Sequence, residues 1–464
     1  MGVENDSPLV PRLVLAGTAS GVGKTTTTVA LTRALQAVGM RVAVFKCGPD
    51  YLDPTYHARA SRSVSQNLDG WMMGKDAVRA TFARASRDAD IALVEGVMGL
   101  YDGAGATGEE GSTAEIAKWL EAPVVLVVDA SGMARSIAAV AQGFVAFDPA
   151  LQIGAVLANR VGSAGHLDLL RRALKSPPIL GGFPRDEEHS FPERHLGLFT
   201  ADDERVPESL LDHWGATATS WCAIDALVKL ARSAPASVAP FEEPAEKVKV
   251  RCRIGLARDE AFHFYYADNL ARLEALGAEL VPFSPLRDAT LPDVDGLYIG
   301  GGYPEAHAGG LAANTAMRDA VRAFASRNAP VYAECGGLMY LTSAIVTLDG
   351  VRHPMVGLVP SEARMCAKLQ ALGYVEVETQ TRTILGGAGS RFRGHQFRYS
   401  DLSPAPEGID RVYSLRRRRG GDTSLEGYRV GSVLASYVHA HWASNPRIPE
   451  AFVESCARAR VERR

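Results

Sequence analysis

Cys335 is the side chain in this sequence best placed to act as a nucleophile. It sits within Val-Tyr-Ala-Glu-Cys-Gly-Gly-Leu-Met-Tyr-Leu, Val331 to Leu341. An apolar run that ends in Cys and turns at once into an apolar helical start is the pattern of a strand–turn–helix elbow. Such a turn lifts the sulfur clear of a sheet, and a helix N-terminus favours thiolate over thiol. Gly336 and Gly337 permit the tight turn and let backbone N–H groups approach a developing oxyanion. A buried Cys at an ordinary junction would read the same way, so the assignment needs partners elsewhere.

Two stretches supply them. Leu297-Tyr-Ile-Gly-Gly-Gly-Tyr-Pro-Glu305 runs a strand into three glycines, whose N–H groups, Gly302 among them, can face an oxyanion beside Cys335. Ser432 to Trp442 is apolar until His439 and His441. A cysteine nucleophile needs an imidazole to take its proton, and His439 is the chosen base over His441 and His395.

A second chemistry stands near the N-terminus. Arg12 to Gly17 reads as a buried strand, Thr18 to Thr25 as a Gly-rich loop ending in Gly-Lys-Thr, and Thr26 to Gln36 as a helix. That order makes a phosphate cradle. Backbone N–H groups of Ser20, Gly21, Val22, Gly23 and Lys24 would wrap the phosphates, Lys24 would neutralise charge, and the Thr25 hydroxyl would sit on Mg²⁺. Thr18 stands where the usual first glycine would be, and the glycine comes one earlier, at Gly17.

Carboxylates follow at the ends of the next apolar strands, where open α/β sheets bind ligands. Asp50 and Asp53 lie just past Arg41–Lys46, on a loop punctuated by Gly and Pro; turn formation alone would also explain them. Glu95 ends Ile91–Val94 and is the expected partner of the metal, with Asp102 on the same loop. Asp53 is assigned with Thr25 and Glu95 to the metal, and Asp50 and Asp102 to the substrate. Asn159 and Arg160, at the end of a later strand, are placed to meet the nucleotide base.

The elements that must position these groups alternate strand and helix, which predicts a parallel, doubly wound sheet. The aromatic run Phe262 to Tyr266 is read as packing. A chain of 464 residues exceeds one ordinary core, so two domains are expected. Residues 1–232 form the first and 248–464 the second. The Pro-, Ala- and Glu-rich segment 233–247, without helical or strand period, is read as a linker. A net charge of −3 gives no basic field for nucleic acid. Six scattered cysteines suit a reducing cytoplasm better than a zinc site or disulfide framework. No apolar run approaches the ~20 residues needed to span a membrane.

Together these pieces resemble the glutamine-dependent cobyrinic acid a,c-diamide synthases and their relatives acting on hydrogenobyrinic acid. The resemblance rests on the Gly17–Thr25 loop, Lys46-Cys-Gly-Pro-Asp-Tyr-Leu-Asp-Pro54, Glu95-Gly-Val-Met-Gly-Leu-Tyr-Asp-Gly103, Gly300-Gly-Gly-Tyr-Pro-Glu305, the Cys335 stretch, Gly394-His-Gln-Phe-Arg-Tyr-Ser400 and Ala435-Ser-Tyr-Val-His-Ala-His-Trp442. It implies an ATP domain like dethiobiotin synthetase, a class I glutamine amidotransferase domain, and Mg²⁺. It implies amidation of a and c acetates through an acyl phosphate, with ammonia passed along a closed path. The partners would be ATP, glutamine and a corrinoid polycarboxylate, with a homodimer as the assembly to test. Two departures are visible. The Glu that many class I amidotransferases carry two residues after the catalytic His is replaced by His441, so a Cys335–His439 dyad is expected. Gln396 and Arg398 stand where the family often has Glu and His. The alternatives are amidation of another tetrapyrrole, such as a nickel sirohydrochlorin, and a P-loop ATPase switch carrying a binding-only module.

Overall fold

The computed structural model describes residues 5–186, 193–194, 197–198, 206–241, 248–405, 408–418, 420–421 and 423–463. Most of 187–205, and 242–247 of the expected linker, lie outside these. The chain divides into two units, Met1–Glu243 and Pro244–Arg464. No helix among the described residues is long and apolar enough to cross a membrane.

The first unit is built on seven parallel strands. In chain order they are β1 (Arg12–Gly17), β2 (Val42–Cys47), β3 (Gln66–Leu68), β4 (Ile91–Gly99), β5 (Val124–Asp129), β6 (Ile153–Val161) and β7 (Ile179–Pro184). Their order across the sheet is β3-β2-β4-β1-β5-β6-β7. β1 is buried at every position, as a strand covered on both faces must be. Leu13 and Leu15 pack with Val29, Leu31, Val125, Leu157 and Trp214 in one core. Helix α1 (Lys24–Ala37) follows the loop after β1, and α2 (Asp53–Ser61) follows the loop after β2.

The expected linker is corrected in part. Val238–Phe241 pairs antiparallel with Asn5–Pro8. Prolines occur in both strands, and a two-stranded ribbon tolerates them because each strand keeps a free edge. Arg12, buried, secures the approach by donating to the carbonyls of Leu120 (2.5 Å) and Pro235 (3.0 Å). The chain therefore remains part of the first unit beyond residue 232.

The second unit carries a ten-stranded mixed sheet. Its strands are β8 (Cys252–Ala257), β9 (Ala278–Phe283), β10 (Gly296–Ile299), β11 (Val331–Glu334), β12 (Ala371–Thr379), β13 (Arg391–Arg398), β14 (Asp410–Arg417), β15 (Thr423–Val430), β16 (Val433–Ser436) and β17 (His439–His441). They run β9-β8-β10-β11-β16-β15-β14-β12-β13-β17. The first five of that order are parallel and the remaining pairs antiparallel. Alternation along β10 and β11 feeds two cores. Leu297, Ile299, Val331 and Ala333 enter one, while Tyr298 and Tyr332 enter the other with Trp442 and Phe452. The single strand expected over Ser432–Trp442 is two, β16 and β17. The break at Tyr437 and Val438 is held by Glu426, which accepts from Tyr437 N and Ser436 Oγ at 2.6 Å each.

Candidate active sites

In the first unit the loop after β1 lines a cavity of about 1090 Å³ with Ser20, Gly21, Gly23, Lys24 and Thr25. Gly17 is where the loop must turn back. A Cβ there would come within 2.7 Å of Val22 Cγ2 and 2.8 Å of Ala19 O, which explains a glycine one position earlier than the usual pattern. Val22 turns its side chain into the protein. Asn159 Nδ2 donates to the Val22 carbonyl at 2.8 Å, and Arg160 Nη2 to that of Gly21 at 2.9 Å. Both residues therefore shape the loop as well as line the cavity. Losing one neutral hydrogen bond costs about 1 kcal/mol. Asn159→Ala should thus weaken binding of a nucleotide about five-fold, read by calorimetry, and leave turnover of glutamine untouched.

The carboxylates after β2 and β4 converge on one buried lysine. β2 and β4 pair with Lys46 opposite Glu95. Lys46 Nζ donates to Glu95 Oε1 at 2.8 Å and pairs with Asp53 Oδ2 at 2.5 Å. Asp53 and His57 stand four residues apart on α2 and so share a face. His57 Nε2 meets Glu95 Oε2 at 2.6 Å, and the Thr25 hydroxyl donates to Glu95 Oε1 at 2.8 Å. Burial opposes a charge on Lys46, but Asp53, Glu95 and Asp50 outweigh it and hold the ammonium protonated. Burial likewise opposes charge on Glu95, and Lys46 and His57 overcome it, so its carboxyl stays ionised. Burial and then neighbouring Lys46 bring Lys24 below its ordinary value. Asp50 Oδ1 accepts from the backbone of Leu52 (2.8 Å) and Asp53 (3.0 Å), so it fixes the start of α2 while lining the cavity.

Thr25, Glu95 and Asp53 were expected to hold the metal, and they are brought together. Glu95, however, already receives Thr25, Lys46 and His57. Asp53 Oδ1 is the buried oxygen here with no hydrogen-bond partner among the described residues. One free carboxylate oxygen in a cavity that the Thr25 hydroxyl also lines fits a small hard cation, because Mg²⁺ takes few protein ligands and completes its shell with phosphate and water. Asp102 is exposed, accepts from Gly99 N at 3.0 Å, and lies outside the cavity lining. His57, Asn67, Asp129 and Trp214 were not anticipated. Asn67 holds the loop after β2 through the Gly48 and Asp50 carbonyls, and Asp129 and Trp214 line the cavity. Only the β2–β4 pairing could have signalled that a group facing Glu95 mattered.

In the second unit Cys335 has φ +48°, ψ −100°, a conformation that non-glycine residues rarely adopt. It joins β11 to a six-residue helix, Gly336–Leu341, and its N–H donates to Ser436 O at 2.7 Å. The triple glycine packs against it. A Cβ on Gly336 would sit 3.1 Å from Gly302 N, so these two N–H groups neighbour one another as an oxyanion site requires. A Cβ on Gly301 would meet His439 Cε1 at 2.4 Å and Nε2 at 3.3 Å, so the imidazole lies directly on this loop.

The expected thiolate is corrected. Burial, then Glu305, push the Cys335 thiol up to about 12, against the opposing pull of the Gly336 N–H and Arg398. The helix start acts in the foreseen direction but is outweighed. Burial and the nearby His395 bring His439 down to about 3, so it stands as a neutral base. His441 is buried against Tyr266, ring centroids 4.7 Å apart, and neither ring nitrogen has a hydrogen-bond partner among the described residues. It packs rather than reacts. The aromatic run before it packs as expected, with Phe262 on Tyr340. A carboxylate beside the His439 ring comes from β11: Glu334 Oε2 lies 3.9 Å from His439 Nδ1.

A phosphate cradle and a cysteine elbow in one chain have counterparts among known proteins. Residues 13–198 match the CobQ/CobB/MinD/ParA nucleotide binding domain, and residues 253–447 the CobB/CobQ-like glutamine amidotransferase domain. A cobyrinate a,c-diamide synthase of Leptospira interrogans is 52% identical over 97% of this chain and 99% of its own. One from Syntrophotalea carbinolica is 48% identical over 96% and 98%, and one from Salmonella typhimurium 41% over 96% and 98%. The chain belongs to the cobyrinate a,c-diamide synthase family. It is accordingly a carbon–nitrogen ligase of the glutamine amidotransferase type, and the reading as an ATPase switch is not retained. Cys335 and His439 fall within the second matched stretch, and the Gly17–Thr25 loop, Lys46, Asp53 and Glu95 within the first.

Proposed function

We propose that this enzyme amidates the a and c acetate carboxylates of cobyrinic or hydrogenobyrinic acid, using ATP and glutamine, in cobalamin biosynthesis. The observation that carries the reading is the coexistence, in a near full-length relative of such synthases, of a cysteine elbow and an imidazole packed against the same glycine-rich loop with a phosphate cradle lined by carboxylates. Release of ammonia needs only the first; using it to make an amide from an unreactive carboxylate needs both.

In the second unit His439 takes the Cys335 proton as sulfur attacks the side-chain amide carbon of glutamine. The Gly302 and Gly336 N–H groups hold the oxyanion. The C–N bond breaks, His439 returns the proton to the leaving nitrogen, and ammonia departs. Water then cleaves the thioester to glutamate and free thiol. In the first unit Lys24 and the loop N–H groups hold the ATP phosphates. Mg²⁺, held by Thr25 and Asp53, would neutralise phosphate charge when bound. A substrate acetate oxygen attacks the γ-phosphorus and ADP leaves, giving an acyl phosphate. Ammonia attacks the acyl carbon, phosphate leaves with the bonding pair and takes up the proton that the nitrogen loses, and the amide remains. Asp50, which lines the cavity, and Asp102, whose charge reaches Lys24, would meet the substrate.

The test is mass analysis of product after incubation with Mg-ATP, glutamine and either hydrogenobyrinic or cobyrinic acid. Two successive amide substitutions on one of them are expected. Intact glutaminase with neither acid amidated would move the substrate assignment to another tetrapyrrole, a nickel sirohydrochlorin first.

A further inference from the structure

We infer that Glu334 is the third member of the glutaminase site, a positioning residue that orients His439 and stabilises its charged form. The inference rests on the amidotransferase reading above and names a residue within it. The position two after His439 holds His441, which packs against Tyr266, so that position offers no carboxylate. The carboxylate comes instead from the neighbouring strand. Tyr332 and Glu334 alternate onto the same face of β11, opposite the face that feeds the Cys335 turn.

Four groups converge on Glu334. Tyr332 O–H donates to Oε1 at 2.8 Å, Ala440 N–H to Oε1 at 3.0 Å, and Tyr298 O–H to Oε2 at 3.0 Å. His439 Nδ1 lies 3.9 Å from Oε2. Glu334 and His439 are both buried. Three donors on one carboxylate fix its plane. The Ala440 bond ties it to the residue next to His439, so strand and base move together. The ring is thereby placed between two anchors, Glu334 on the Nδ1 side and the Gly301 backbone on the Cε1–Nε2 side. When His439 accepts the Cys335 proton, an imidazolium forms in a buried site where a carboxylate 3.9 Å away is weakly screened. Asn269 closes the frame, donating to Ala440 O at 2.7 Å and accepting from Trp442 N at 2.8 Å.

Burial raises Glu334 to about 7 against the pull of the Ala440, Tyr332 and Tyr298 donors. Tyr298, Tyr332 and His439 face it, and Cys335, Tyr265 and Tyr413 sense its charge. A carboxylate that must be ionised to act loses its effect as pH falls through that value, so an acid limb near pH 7 is expected in glutaminase kcat/KM.

Glu334→Gln should lower glutaminase kcat by at least ~10²-fold, the order expected when the group orienting a catalytic imidazole is lost, with KM for glutamine little changed. Its acid limb should vanish, Glu334→Asp should recover part of the rate, and ammonium-driven amidation, carried by the other unit, should persist. Tyr298→Phe removes one donor and should move the acid limb to higher pH, which serves if the Gln variant does not fold. Wild-type kcat in Glu334→Gln, or an unmoved limb in both variants, would overturn the inference. A wild-type enzyme that amidates with ammonium but never hydrolyses glutamine would overturn the amidotransferase reading itself, and this inference with it.

Discussion

Cys335→Ala is expected to abolish glutamine-driven amidation while amidation from added ammonium continues near the wild-type rate. On the function proposed above the two chemistries reside in separate units, and the substitution touches only one. Removing a covalent nucleophile costs on the order of 10⁴-fold or more, because no other group can form the acyl intermediate. The methyl group fits the space of the thiol. Alanine at φ +48° inherits the same strain as cysteine, so the elbow should keep its shape. Product mass with glutamine or ammonium as nitrogen source decides the matter. Loss of both activities would place Cys335 in folding rather than in catalysis.

The second large effect is on stability. Lys46→Met should destabilise the first unit by about 3–5 kcal/mol, since it leaves Asp53 and Glu95 buried without their shared cation. For a unit of this size that lowers the midpoint of thermal unfolding by roughly 10 °C. Adding Asp53→Asn to Lys46→Met removes one uncompensated charge and should recover part of the loss, as groups sharing a partner are not additive. Unfolding of the full chain followed by calorimetry gives the answer. A single variant as stable as wild type would mean that solvent reaches the Lys46 site.

The phosphate loop was legible because its function dictates residue type position by position: glycines where backbone crowds, then Lys and Thr. The Cys335 elbow and the Gly300–Gly302 run were legible for the same reason. What could not be read was any contact made across strands. Glu334 reads in the sequence as the last residue of an apolar strand, and chain order points for a carboxylate two residues past His439, where His441 stands. It arrives instead sideways, through the β11–β16 pairing and the turn into β17. His57 was missed likewise, since a lone His on a helix carries no signal until α2 brings it to Glu95. The thiol's protonation is illegible in the sequence because a helix-terminus effect is local, whereas burial of a side chain is a property of the whole fold. Composition also misled at 238–241, where proline suggests a free linker and the partner strand lies some 230 residues earlier, at Asn5–Pro8.

That ribbon has a topological consequence. It lays the entrance and the exit of the first unit side by side, so its chain forms a nearly closed ring with a single seam. Fraying from either end must first part this seam, which also carries the bond from Leu9 N to Ser237 O (2.9 Å). A ring closed in this way can be reopened elsewhere. New termini at an exposed turn such as Gly105–Thr107, with the old ends joined by a short linker, should preserve the nucleotide cavity.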